Sequence, residues 1–157
     1  MDCKAKLEKY FHDNGVGFRT MTHPTAYTAQ DVAAAQKVKG RQVAKVVMVL
    51  ADGKAAMLVM PASYRIEFPK LKTVLKATDA RLAKEEDFST LFPDCDTGAM
   101  PPFGNMYNVP VYVDRSLTED PEIVFQAGSH RDTMKITYKD YARLAQPVVG
   151  DFATHLQ

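Results

Sequence analysis

The chain has 157 residues, with 20 Lys and Arg against 19 Asp and Glu, and no Trp. A near-neutral net charge of +1 excludes a polybasic protein that coats nucleic acid. The longest apolar run, Val46–Ala51, is far short of the ~20 residues that a membrane span needs. The length predicts one domain, residues 1–157, that buries about 70% of the surface its unfolded chain exposes. No basic-then-apolar leader opens the sequence, so a cytoplasmic, non-membrane protein is expected. Cys3 and Cys95 are too few for a disulfide scaffold and lack C-x-x-C spacing.

Taken in chain order, Asp2–Asp13 reads as a helix with Leu7, Tyr10 and Phe11 on one face. Gly15 and Gly17 stop it ahead of a short strand, Phe18–Thr22. Thr28-Ala29-Gln30-Asp31 resembles a capping box, with Asp in place of Glu, that opens an Ala-rich helix over Ala29–Lys37. Strands are expected over Val43–Ala51 and Ala55–Met60, and the Asp52-Gly53 dipeptide between them signals a hairpin. Pro69 suits the first turn of a helix running to about Lys76. Glu85-Glu86-Asp87 places negative charge at the start of another, reaching Phe92. Pro93–Asn108, with three Pro, two Gly and two Asn, is loop chemistry. Strands follow at Val109–Val113, Ile123–Ala127 and Met134–Tyr138, and Tyr138–Ala145 closes as a helix. The mixture predicts an α+β fold: a curved, mixed, largely antiparallel sheet with a barrel-like core flanked by helices.

The charge is uneven. Residues 1–45 hold eight basic and four acidic residues, a local +4, and the rest of the chain carries −3. A small basic face on an acidic body suits a phosphate-bearing partner of small footprint, although solvated helix faces have the same composition. Lys45 stands out within this region. On a strand it shares one face with Val43, Val47 and Val49, while Ala44, Val46, Met48 and Leu50 share the other. Both faces read as buried, so the lysine must reach solvent, pair with an acid, or receive a phosphate or polarised carbonyl.

Two further stretches carry chemistry. In Gly98-Ala99-Met100-Pro101-Pro102-Phe103-Gly104, paired prolines stiffen the backbone and glycines let it approach a ligand. Such a loop aims N–H groups at an oxyanion, and a rigid surface turn has the same pattern. Ala127-Gly128-Ser129-His130 ends a strand with a residue that permits a sharp turn and a histidine that binds or shuttles a proton. His23, before Pro24, sits similarly after the first strand. The four histidines show no metal-ligand spacing, and neither a nucleophile elbow nor a nucleotide-binding loop is present. Cys95 is the one thiol near the glycine–proline loop, but Asp94 and Asp96 flank it and would raise its pKa. A bystander thiol fits better than a nucleophile.

Read together, His23-Pro24 with Tyr27-Thr28-Ala29, Val43-Ala44-Lys45-Val46-Val47, Gly98 to Gly104, Pro110 to Asp114, and Ala127-Gly128 ahead of Ile136 and Asp140 form an ordered set. From Phe18 to Ala145 this set resembles the YbaK/prolyl-tRNA synthetase-associated domain family of free-standing trans-editing deacylases. The resemblance implies metal-free, cofactor-free hydrolysis of the ester that joins a wrong amino acid to tRNA. It implies catalytic roles for Lys45, which holds the terminal nucleotide, and for Gly98, Ala99 and Gly128, whose backbone serves the reacting carbonyl. Substrate-binding roles fall to His23, Tyr27, Met100, Pro101, Pro102, Phe103 and His130. Water, or in some members the substrate's own group, is the expected attacking group, assisted by a hydroxyl of the terminal ribose.

The implied partner is the tRNA acceptor end carrying a misattached amino acid, with an aminoacyl-tRNA synthetase as a second candidate and a monomer or weak homodimer as the assembly. Lys37, Lys39 and Arg41 are the expected tRNA contacts, with Lys70, Lys72 and Lys76 beside them. Val46, Met100 and Pro101 stand where relatives often carry polar, smaller or hydroxylated residues, so the pocket is expected to differ. The alternatives are a non-catalytic module of the same fold, binding aminoacyl-tRNA or a synthetase, and a thiol hydrolase using Cys95.

Overall fold

The computed structural model describes residues 2–22 and 42–156; the Thr28 capping box and the Ala29–Lys37 helix expected from the sequence lie outside them. In chain order the elements are α1 (Cys3–Asp13), β1 (Arg19–Thr22), β2 (Ala44–Ala51), β3 (Lys54–Pro61), β4 (Tyr64–Ile66), α2 (Phe68–Leu75), β5 (Ala80–Leu82) and α3 (Glu85–Phe88). They continue with a 3-10 turn at Gly104–Tyr107, β6 (Val111–Asp114), a second such turn at Arg115–Glu119, β7 (Glu122–Gln126), β8 (Asp132–Thr137), α4 (Tyr138–Ala145), β9 (Val148–Gly150) and β10 (Ala153–His155).

Local chemistry accounts for the principal boundaries. Asp2 caps α1 by accepting the Ala5 N–H at 2.8 Å, and the Thr137 hydroxyl caps α4 by accepting the Asp140 N–H at 3.1 Å. Asp52 and Gly53 both take positive φ, 49° and 83°, as a two-residue hairpin turn of the type that matches strand twist requires. That turn sets the register of β2 on β3, from Ala51 opposite Lys54 to Ala44 opposite Pro61. Pro69 lies in the first turn of α2, where a missing N–H costs nothing. The short helix α3 starts on its three acidic residues as expected but ends at Phe88 rather than Phe92. Pro93 disfavours helical backbone at Phe92, and the intervening residues form a further turn through Leu91 N–H to Phe88 O.

The strands form a five-stranded sheet in the order β5-β2-β3-β6-β9, a three-stranded sheet β1-β8-β7 and a two-stranded ribbon β10-β4. Pairing is antiparallel except at β3–β6 and β6–β9, so the sheet is mixed and largely antiparallel as expected. Among the described residues the strands do not close into a barrel. The two larger sheets instead meet through a parallel bridge between Val43 and Val124.

Both faces of the five-stranded sheet are buried, and the period of two along each strand divides them cleanly. Ala44 and Met48 of β2, Met57 and Val59 of β3, and Val111 and Val113 of β6 face a large core closed by α1, α4 and the three-stranded sheet. Phe103 lies at its centre, edge-on to Phe11 at 5.4 Å, Phe125 at 5.9 Å and Tyr141 at 5.2 Å. Val49, Ala56, Leu58 and Met60 face a smaller core with Leu71 of α2 and Phe152.

Four three-residue strands, β4, β5, β9 and β10, were not legible in the sequence, because three residues show no periodicity. One buried carboxylate fixes the last of them. Asp114, only 3% exposed, accepts the N–H groups of Phe152 and Ala153 on one oxygen, both at 2.9 Å. Its other oxygen accepts the Ser116 N–H at 3.1 Å and the Ser116 hydroxyl. An Asp114→Asn change would turn an amide NH2 toward these donors. It is expected to lower stability by about 3 kcal/mol, read as a lower urea midpoint with an unchanged slope.

Candidate active site

Lys45 occupies the face of β2 that looks into the smaller core, directly opposite Met60. Its ammonium donates to the Tyr64 carbonyl at 2.5 Å, and among the described residues it meets no carboxylate. Burial pulls its pKa below the ordinary lysine value. Among the described residues the strand therefore keeps a half-buried cation met by one neutral acceptor, with donors left over for an anion. Lys70, Lys72 and Lys76 are exposed on or just after α2, the helix that covers this same face.

The second constellation lies beyond the other face of β2. The Asp96 N–H donates to Gly128 O at 2.8 Å, the Gly128 N–H donates to Ala99 O at 2.9 Å, and the Ala99 N–H returns to Asp96 O at 3.0 Å. This ring of bonds stitches the Gly98–Gly104 loop to the end of β7. Gly98 and Gly128 carry positive φ of 88° and 97°. Gly128 has a second reason to lack a side chain, since a Cβ there would lie 2.6 Å from the Cys3 Cβ and 2.7 Å from its Sγ. His130 folds back over the loop: its Nε2 is 3.1 Å from Thr97 O, and its Cε1 is 3.6 Å from where a Cβ on Gly98 would sit. Ser129 and Asp132 tie off the turn through a 2.7 Å hydrogen bond. Burial alone would raise the Asp132 carboxyl, but the Ser129 hydroxyl and the Lys4 ammonium outweigh it and hold it below the usual range.

The tertiary structure thus brings Gly98, Ala99, Met100, Pro101, Pro102, Phe103, Gly128 and His130 together. Lys45 points away from them, through the opposite face of β2. Met100 and Phe103 are buried against the Ala44 and Met48 side of the sheet. Among the backbone donors expected from the sequence, those of Ala99 and Gly128 shape the loop from within. The one acceptor that the Gly98 N–H meets among the described residues is the Met100 thioether sulfur, at 3.3 Å, a weak acceptor that a carbonyl oxygen can replace. His23, Tyr27, Lys37, Lys39 and Arg41 lie outside the described residues.

The cysteines correct the sequence reading. Cys3 and Cys95 are joined as a disulfide, so Cys95 is neither a bystander thiol nor, in this state, a nucleophile. No spacing signal foretold a pairing across 92 positions. The surroundings were equally hidden. The Lys6 ammonium bonds Asp94 at 2.9 Å and lies 4.5 Å over the Tyr107 ring, and its hydrogen bond holds the Asp94 carboxyl below the usual range.

The family model of the aminoacyl-tRNA editing domain matches residues 23–144. A proline–tRNA ligase of Leuconostoc citreum is 25% identical over 134 residues; the match covers 83% of this chain and 23% of the ligase, so the chain spans about a quarter of that relative's length. The multifunctional Ser/Thr-tRNA deacylase ProXp-y of Escherichia coli K12 is 26% identical over 152 residues, covering 94% of this chain and 90% of the deacylase. A solved structure provisionally called a trans-editing enzyme for prolyl tRNA synthetase superposes with a TM-score of 0.84 at 21% identity, covering 98% of each chain, which establishes the shared fold. With the lysine strand, the glycine-stitched loop and this match over most of its length, the chain belongs to the aminoacyl-tRNA editing domain family.

Proposed function

We propose that the protein is a trans-editing hydrolase that removes a misattached amino acid from tRNA. The observation that carries this reading is Lys45, a half-buried ammonium with no acidic partner among the described residues, on a strand that lies inside the stretch matched by the editing-domain model, residues 23–144. A lysine kept against a desolvation cost, and not neutralised by any acid among the described residues, is suited to an anion supplied from outside. The terminal phosphates of a tRNA acceptor end are such an anion.

The reaction is ester hydrolysis. A water oxygen bonds to the ester carbonyl carbon, the bond from that carbon to the ribose oxygen breaks, and the products are a free amino acid and a tRNA terminal hydroxyl. The protein's part is positioning and charge stabilisation. Lys45 holds the acceptor end, and the exposed Lys70, Lys72 and Lys76 on the same side of the sheet extend the grip along the phosphate backbone. The Gly98 N–H exchanges the Met100 sulfur for the carbonyl oxygen as that oxygen gains negative charge. His130, Met100 and the buried prolines form the wall that sorts amino-acid side chains. His23, Tyr27, Lys37, Lys39 and Arg41 complete the substrate contacts in this reading. The reaction requires no cofactor or metal, and the protein works in the cytoplasm, alone or alongside a synthetase.

A specific observation favours a second reading, a module that binds aminoacyl-tRNA without hydrolysing it. Lys45 and the Gly98 loop occupy opposite sides of β2, so one substrate must reach both or only one acts. Purified protein tested on tRNAs charged with Ser, Thr, Ala, Cys and Pro separates the two. The deacylase reading expects loss of at least one ester well above the uncatalysed rate. The binding reading expects acceptor-end association that weakens with salt, by about 0.7 in log affinity per log salt for each phosphate contact, and no added hydrolysis.

The lysine makes a sharper prediction. Its pKa is lower in the folded than in the unfolded chain, so at neutral pH the charged side chain disfavours folding, a penalty that fades as pH rises toward the unfolded value. A Lys45→Met change is expected to cut deacylation by about a hundredfold or more while the melting temperature at pH 7 stays the same or rises. A comparable loss of stability would mark the lysine as structural instead.

A further inference from the structure

The Cys3–Cys95 bridge sits on the residues that shape the Gly98–Phe103 loop. The Cα atoms are 5.0 Å apart, and the Cys3 N–H also donates to Asp94 O at 3.1 Å. The Cys3 side chain fills the space over Gly128, whose backbone bonds both Asp96 and Ala99. Both sulfurs lie against one hydroxyl: Tyr107 Oη is 3.5 Å from Cys95 Sγ and 3.8 Å from Cys3 Sγ. The first turn of α1, the turn at Gly128 and the start of the loop are thus one packed unit with a covalent link at its centre.

We propose that Cys3 and Cys95 form a reversible thiol–disulfide site, oxidised by a small-molecule disulfide such as glutathione disulfide, whose state sets how firmly the Gly98–Phe103 loop is held for catalysis. The proposal rests on the deacylase reading for its functional consequence. In a reducing compartment a bridged pair is a transient, sensing element rather than a permanent staple. Cys95 is only half-buried, whereas Cys3 is 2% exposed, so Cys95 is the residue that an outside disulfide reaches.

The Cys95 thiolate attacks one sulfur of the small disulfide, forming a mixed disulfide and releasing one thiolate. The Cys3 thiolate then attacks the Cys95 sulfur, closing the bridge and releasing the second. The two protein thiols lose two electrons and two protons, and the small disulfide gains them as two thiols. The oxidised protein holds α1 against Gly128 and keeps the loop in its bonded form; the reduced protein keeps only the noncovalent contacts.

The test equilibrates the full chain in glutathione buffers from fully reduced to fully oxidised. Bridge formation is read by alkylation and intact mass, loop order by hydrogen exchange at Asp96, Ala99 and Gly128, and activity on the ester found in the tRNA screen. Oxidation is expected to slow exchange at those amides and raise the deacylation rate on the order of fivefold or more, with the same midpoint as bridge formation. Cys95→Ser and Cys3→Ser are each expected to hold the reduced rate and lose the response. A bridge that forms at no glutathione ratio, or exchange that is indifferent to it, overturns the proposal. A deacylation rate unchanged by complete conversion also overturns it and leaves the deacylase reading standing. Slowed exchange with no ester hydrolysed in either state does the reverse: the switch stands and the deacylase reading falls.

Discussion

Val49, Leu58 and Met60 turn to one side of the five-stranded sheet, Met48, Met57 and Val59 to the other, and both sides are sealed from water. The rest of the molecule answers that requirement. One face needs α1, α4 and a second sheet; the other needs α2 and the segment around Phe152. A polar residue placed within the buried stretches of the central strands is then carried into a low-dielectric layer, where it needs a partner. Lys45 is such a residue, half-buried, and among the described residues it is offered one backbone carbonyl, from β4. That carbonyl is in place because β4 is paired with β10, and β10 is held by the Asp114 carboxylate. The acceptor that meets the Lys45 ammonium is thus linked, through ordinary hydrogen bonds, to a carboxylate 69 residues from that lysine along the chain.

The opposite side follows a different logic. There the loop is shaped by close approach, because Gly128 leaves room for the Cys3 side chain and exchanges two backbone hydrogen bonds with the loop. A substitution that added a Cβ at Gly128 would have to move the first turn of α1. Preorganisation of this kind is what a site built from backbone donors requires, since such donors act only where the fold puts them. Lys6, Asp94 and Tyr107 reinforce the same corner from outside, and the disulfide closes it covalently.

Much of the fold was legible in the residues. The β2–β3 hairpin followed from Asp52-Gly53 between two apolar runs, and the first turns of α2 and α3 from Pro69 and from the Glu85-Glu86-Asp87 charge. The Gly98–Gly104 loop was visible as glycine and proline, whereas the hydrogen bonds that stitch it to Gly128 were not, because they join segments about 30 residues apart. The short strands were hidden because a three-residue strand exists only through its neighbour: Tyr64–Ile66 is a strand because Ala153–His155 lies beside it. The end of α3 was misplaced for a related reason, its last turn being decided by the proline that follows and by the packing of Phe88 and Phe92.

Local chemistry in the sequence determined the strand alternation, the turn, the caps and the presence of a lone lysine between apolar neighbours, because each depends on residues a few positions apart. The tertiary structure decided which face of β2 looks toward the glycine loop, that Lys45 is held by Tyr64 on the other, and that Cys3 reaches Cys95. These are contacts between segments 19 and 92 residues apart, set by how the two cores close around the sheet. Nothing in the composition of either segment marks its partner, since long-range pairing is selected by packing the whole chain at once.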